Sequence, residues 1–320
     1  MQIFRAMEAI PVGSRVMSVG NFDGVHIAHR CILDAVVAEA RARGLQAAAL
    51  TFTPHPARLL HPDSAPALLS TESDKIARLA AAGLDWLLIL PFTAGLAAMP
   101  PREFVQNLLL RRLGMVSLHE GDDFRFGARQ SGQVADLRRW APELGFDLRI
   151  HPSIRLRGQI VSSTQIRQFL AAGNISRANR MLGYAYRLQG PVVGGRGVGR
   201  RLTAPTLNLQ FHPEQALPGR GVYICYASIA NRAWPALTNI GIRPSFADAG
   251  GALTVETYLL PGHHAPLSSA PEELTLEFLY FLRPEHKFPS PGALRSQISA
   301  DVTRAQNYFG KLQAAGIQLH

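Results

Sequence analysis

Val16-Met17-Ser18-Val19-Gly20-Asn21-Phe22-Asp23-Gly24-Val25-His26-Ile27-Ala28-His29 reads as a short apolar strand, a turn bracketed by two glycines, and the opening of a helix. The helix is announced by Ile32, Leu33, Val36, Val37 and Ala40, spaced by three and four residues, and it stops at Gly44. Backbone N–H groups at such a helix start lack intrahelical partners and sit at the positive end of the helix dipole. The turn therefore suits an anion. His26 and His29 are three apart, so they share one face of the first turn and add two imidazole donors beside Gly20, Asn21, Phe22, Asp23 and Gly24. Zinc fits poorly, because helical metal histidines usually sit four apart and no acidic third ligand is evident.

Outward from this unit the pattern repeats. Residues 45–52, 86–90, 115–119 and 146–150 read as further strands, with helices at 73–82, 104–113 and 134–144 between them. Strands alternating with helices imply a doubly wound parallel sheet covered on both faces. Ligands bind such sheets in the crevice at the strand carboxyl ends, which is where the quoted turn falls. Two short helices follow at 164–171 and 175–182, and near residue 184 the period changes. Six short strand-like segments (187–193, 206–211, 221–229, 236–240, 253–260 and 274–282) predict a small antiparallel barrel, and 291–312 a closing helix. The expected division is 1–184 and 185–320.

Composition bounds the function. A chain of 320 residues, 47% hydrophobic and 18% charged, exceeds one core and does not suit disorder. Cys31 and Cys225 form no Cys-x-x-Cys pair, so neither a disulfide framework nor a zinc site is expected. No segment approaches the roughly 20 apolar residues of a membrane span, nor does the N-terminus have the apolar core of a signal peptide. A cytoplasmic location is the expectation, as a monomer or weak oligomer. The net charge of +10 is carried by scattered arginines not interleaved with aromatics. That argues against specific nucleic-acid binding and suits polyanionic small substrates.

Further residue groups carry chemistry. Ser162, Ser163 and Thr164 offer hydroxyls where a loop enters a helix, and Arg167, one turn later, can clamp departing phosphates. Phe124 and Phe126 flank a turn at 121–127, where flavin contact and ordinary packing are equally good readings. Thr206 and Asn208 are two apart in a strand and so share a face, where a hydroxyl and an amide can hold Mg²⁺ and a nucleotide phosphate. Glu256 is a lone carboxylate in a strand-like segment, able to take a proton from an alcohol during phosphoryl transfer.

The stretch 20–29, with Thr51-Phe52-Thr53-Pro54-His55-Pro56, Gly121-Asp122-Asp123-Phe124-Arg125-Phe126-Gly127 and Val161-Ser162-Ser163-Thr164-Gln165-Ile166-Arg167, resembles the nucleotidylyltransferase half of bacterial bifunctional riboflavin kinase/FAD synthetases. Pro205-Thr206-Leu207-Asn208, residues 239–246, Val255-Glu256-Thr257 and Leu282-Arg283-Pro284-Glu285-His286-Lys287-Phe288 with Asp301 resemble the kinase half. The resemblance implies that ATP phosphorylates riboflavin to FMN and then adenylylates FMN to FAD, releasing pyrophosphate. It places Thr206 and Asn208 at Mg²⁺–ATP, Glu256 as general base for the ribityl hydroxyl, and Asp123, Phe124, Phe126 and Arg243 at flavin. Three departures stand out. Ala28 replaces the usual glycine between the histidines, Thr203 replaces a loop glycine, and 261–270 replaces the usual segment after Leu260. The last two admit an alternative, an adenylyltransferase whose barrel only binds flavin or regulates.

Overall fold

The computed structural model describes residues 1–7, 10–194, 206–230, 232–243, 252–261 and 271–316. The chain forms two compact units, Met1–Ser163 and Thr164–His320. The helices Ser163–Ala171 and Ile175–Leu182 thus fall with the barrel from Thr164 onward, whereas the expected division at 184 leaves them with the sheet. Asn179 shows one reason: its Nδ2 donates to the Phe278 carbonyl (2.8 Å) and its Oδ1 accepts the Tyr186 N–H (2.9 Å), both in barrel strands.

All five residues of the strand Arg15–Val19 are buried because it lies inside the first unit's sheet with helices on both faces. The six parallel strands run in the order Gln2–Phe4, Trp86–Pro91, Gln46–Thr53, Arg15–Val19, Met115–Gly121, Asp147–His151. Strand alternation sorts the core into two layers. Val16, Ala47, Ala49 and Leu87 face Leu33, Val36 and Leu79, whereas Met17, Ala48, Leu50 and Leu88 face Leu108, Leu109 and Trp140. The small alanines of Gln46–Thr53 let the helix Ile27–Arg43 lie close to the sheet. From Arg15–Val19 the chain winds outward first to one side and then to the other. The carboxyl ends of Arg15–Val19 and Met115–Gly121 consequently flank the switch point where such sheets open a crevice.

Arg15 is the unexpected core residue. Its guanidinium is 1% exposed, donates to the Gly13 and Leu113 carbonyls (2.6 and 2.8 Å), and lies 3.8 Å from the centre of the Trp86 ring. Sequence periodicity places an α-type helix at 104–113, but Phe104–Arg112 winds as a π-helix, with Leu113 N–H bonded to Leu108 O at 2.9 Å. The wider turn puts Phe104, Val105, Leu108 and Leu109 together against the sheet.

In the second unit six antiparallel strands close a barrel in the order Tyr186–Val193, Thr206–Leu209, Ala252–Leu259, Arg232–Arg243, Gly221–Ile229, Glu273–Arg283. The six segments read from sequence correspond to these strands. The helix Pro291–Ala314 buries Ala305 and Phe309 against Val222, Ile224, Leu237 and Leu279 on the barrel. Its anchor is Asp301, 2% exposed, which accepts from Arg283 Nε (2.9 Å) and Gln297 Nε2 (2.9 Å).

Removing one member of this pair strands the other charge in a poorly solvated place. Asp301→Ala is expected to cost about 3 kcal/mol, the low end for a broken buried pair. Calorimetry should show a lower midpoint for the barrel transition, and an unchanged midpoint would contradict the anchoring role.

Candidate active sites

The turn after Arg15–Val19 is built from unusual backbone. Phe22 (φ 46°), Gly24 (φ 75°) and Val25 (φ 37°) all adopt left-handed conformations, which for a β-branched valine is a strained state. Asp23 holds them there. Its carboxylate, 5% exposed, accepts the Leu69 N–H (2.9 Å) and the Ser70 N–H (3.3 Å), while Ser70 Oγ accepts the Gly24 N–H (3.2 Å). Phe22 plugs the turn into the core at 2% exposure, and Gly20 passes close under its ring. The Asn21 carbonyl accepts from Thr51 Oγ1 (3.2 Å) and Lys75 Nζ (3.4 Å).

The histidines then meet as stacked rings, 3.7 Å between centroids and 13° apart. His26 is not within the helical turn but caps it, its Nδ1 accepting the His29 N–H at 3.4 Å. Its proton therefore resides on Nε2 in the neutral form. His29 Nδ1 is buried with no hydrogen-bond partner. Burial, and secondarily the neighbouring His26 and Lys75, push the His29 pKa well below the usual histidine value. A phosphate brought against it reverses the Coulombic part and favours the proton.

These residues line one end of a cavity of about 270 Å³ that lies within the first unit, at the switch point. Ser162 and Ser163 close one side, and Ser163 Oγ also donates to the Asp23 carbonyl (3.1 Å). Thr164 lies in the first turn of the helix Ser163–Ala171, and Arg167 follows in the next. Asp123 and Phe124 also line the cavity. Phe126 does not line this cavity. It is 5% exposed in the core, stacked on Phe124 (5.3 Å between centroids) and edge-on to Trp140. Of the two readings open for this aromatic pair, packing holds for Phe126.

Three residues at this site were not legible in the sequence. Lys75 enters from the helix Glu72–Ala81, and burial lowers its pKa. Glu120 ends the neighbouring strand, 2% exposed, its Oε1 accepting the Val19 N–H at 2.8 Å. Burial, aided by Asp123, raises its pKa well above the usual carboxylate range. His151 ends the edge strand and also faces the cavity. Each sits on a different element, so no local spacing marks them.

In the barrel, strand register assembles the second group. Glu256 pairs with Asn208 on one side and with Asn239 on the other, so three polar residues form a row across adjacent strands. Thr206 lies two residues from Asn208 on the same face, opposite Tyr258. Asn208 is 9% exposed and Glu256 half-buried, so the row is not a solvated surface. Gly241 has no side chain where Glu285 approaches, an added Cβ falling 2.1 Å from its Oε1. Arg243 ends the strand Arg232–Arg243. Thr203, the glycine-rich stretch 195–200 and the altered segment 262–270 lie outside the described residues. Among the described residues no cluster of three or more His, Cys, Asp or Glu side chains could hold a metal.

Comparison with known proteins adds an independent line. Residues 11–165 match a family model described as FAD synthetase, and residues 182–309 one described as riboflavin kinase. A Pseudomonas fluorescens protein named bifunctional riboflavin kinase/FMN adenylyltransferase is 35% identical over 96% of this chain and 97% of its own length. An Escherichia coli (strain K12) protein of the same name is 34% identical over 94% of each. A Streptococcus pneumoniae crystal structure, described as a macrolide-efflux protein, superposes with a TM-score of 0.84 at 25% identity, covering 96% of this chain and 98% of that one. Among the described residues no helix is long and apolar enough to cross a membrane.

Glu120 gives a pH test of the cavity wall. A carboxyl whose folded pKa is raised keeps its proton where the unfolded chain has lost it. Stability should then fall by about 1.4 kcal/mol per pH unit from the ordinary carboxylate range up to the raised pKa. Glu120→Gln keeps an acceptor for Val19 N–H and removes that slope. The variant is expected to melt above the wild type at pH 7 and level with it near pH 4. Parallel melting curves across that range would refute the buried neutral acid.

Proposed function

The chain belongs to the bifunctional riboflavin kinase/FMN adenylyltransferase family, and from that membership we propose how its residues divide the work. It is an enzyme with two activities, ATP-dependent phosphorylation of riboflavin to FMN and adenylylation of FMN to FAD. Both family models are present, which favours this over an adenylyltransferase with an inactive barrel. The adenylyl transfer belongs to the N-terminal part, residues 1–184, and the kinase to 185–320.

The observation that carries the first assignment is the stacked His26–His29 pair at a helix start opening into the switch-point cavity. ATP lies with its phosphates at this helix start, along Gly20–Gly24, and with Ser162, Ser163, Thr164 and Arg167 toward the pyrophosphate. The FMN phosphate is the nucleophile, so no covalent enzyme intermediate is needed. As it attacks the α-phosphorus, negative charge grows on the equatorial oxygens, and the two imidazoles and the helix-start amides meet it. Lys75 adds a positive charge beside the turn. Asp123 and Phe124 contact the flavin, and Phe126 supports Phe124 from the core.

In the barrel Glu256 takes the proton of the ribityl 5′-hydroxyl as the γ-phosphoryl group departs. Its half-burial between Asn208 and Asn239 holds the carboxylate in place. Thr206 and Asn208 present a hydroxyl and an amide, the oxygen donors that a hard cation prefers, and would hold Mg²⁺. When bound, the cation neutralises charge on the transferring phosphate. Arg243 contributes to flavin binding. The enzyme works in the cytoplasm as a monomer or weak oligomer, without specific nucleic-acid binding.

Chromatography of the products separates the two sites. With riboflavin, ATP and Mg²⁺ the wild type should yield FMN and then FAD. Glu256→Gln should abolish FMN formation while FMN supplied directly is still converted to FAD. His29→Ala should do the reverse, lowering FAD formation about 100-fold, the loss expected for one transition-state donor. Loss of both activities in either folded variant would contradict separate sites.

A further inference from the structure

A relay that the roles above leave unused ends on the cavity wall at His151. Glu39 Oε2 lies 3.0 Å from His119 Nε2, and His119 Nδ1 lies 3.1 Å from His151 Nε2. The direction of each hydrogen bond follows from the first. Burial works against charge on Glu39, yet its hydrogen-bonding neighbours, Arg43 and His119 among them, hold its carboxyl down to about 2. Glu39 is therefore an acceptor only, and His119 Nε2 must carry the proton.

His119 is 3% exposed, and burial lowers its pKa despite the attraction of Glu39, so it is neutral. Its Nδ1 is then a lone pair, and His151 Nε2 must donate to it. A neutral His151, whose pKa is also lowered by burial, consequently has its other ring nitrogen, Nδ1, as a fixed acceptor. The backbone is pinned as well. The His151 carbonyl accepts the Asp122 N–H (3.0 Å), and Asp122 accepts from Ser153 N–H (3.1 Å) and Ser153 Oγ (2.6 Å). Tautomer and position are both set before any ligand arrives.

His151 shares its cavity with His26 and His29, and Ile32 and Ile154 provide apolar walls suited to a flat ring. A nucleotide anchored by its phosphates at the helix start carries its base into this same space. We propose that His151 reads that base, its Nδ1 accepting a hydrogen bond from the exocyclic amine of adenine, with Glu39 and His119 as positioning residues. The proposal rests on ATP occupying the cavity. It makes the site selective, because guanine presents a carbonyl oxygen where adenine presents its amine, and two acceptors facing each other leave both unpaired.

The test compares kcat/KM for FAD formation from FMN with ATP and with purine riboside triphosphate, which lacks the amine. The wild type should prefer ATP about 10-fold, a hydrogen-bond-sized difference. His151→Leu should use the two nucleotides equally, and His151→Gln, whose amide oxygen accepts, should recover part of the preference. His119→Leu should weaken the preference by releasing the tautomer. General damage to the fold slows both nucleotides together and leaves the ratio in place. A preference that persists in His151→Leu, or that the wild type lacks, overturns the assignment. Absence of FAD formation from ATP and FMN in the wild type would instead overturn the underlying site, and this inference with it.

Discussion

The Asp23 carboxylate accepting the Leu69 and Ser70 N–H groups is the constraint on which the first site depends. Phe22 and Val25 are held at positive φ, each a state costing on the order of 1–3 kcal/mol. A carboxylate satisfied by backbone donors in a buried place can offset such strain, because losing those bonds would leave its charge unpaired. The geometry it fixes directs the chain from the central strand into the helix Ile27–Arg43 with His26 at the cap. The two histidines and the backbone amides of that helix start are positioned from that point.

The two units reach polar sites by different means. In the sheet unit the site gathers at strand ends and loops, where backbone N–H groups are unpaired and a crevice exists because the winding order reverses. In the barrel unit it lies across the middle of three strands, where Asn208, Glu256 and Asn239 are neighbours by register. A one-residue slip of the strand Ala252–Leu259 would turn Glu256 to the other face and replace it with an apolar or hydroxyl neighbour. The buried Thr238–Thr257 hydroxyl contact (3.1 Å) sits on that other face and helps specify the pairing.

Charge near the cavity of the first unit is managed chiefly by burial. His29, His119, His151 and Lys75 are all pushed toward neutrality, and Glu120 toward its protonated form. The relay through Glu39 is the exception, a carboxylate kept ionised to orient neutral rings.

The sequence by itself determined the local units. Strand Arg15–Val19, the glycine turn, the helix stop at Gly44 and the six barrel strands follow from periods of two and 3.6 residues and from where glycine interrupts them. His26, His29, Thr206 and Asn208 were visible because their chemistry is read from spacing within a short stretch, and Glu256 as a lone carboxylate in a strand-like segment. Only the tertiary structure decided what meets across elements. It placed Phe126 in the core, brought Lys75 to the turn and Glu120 and His151 to the cavity, and aligned Asn239 with Glu256. It also buried Arg15 over Trp86 and widened 104–112 into a π-helix. The physical reason is common to all of these: hydrophobic burial and strand register join residues tens of positions apart, and neither is encoded in the spacing of any one segment.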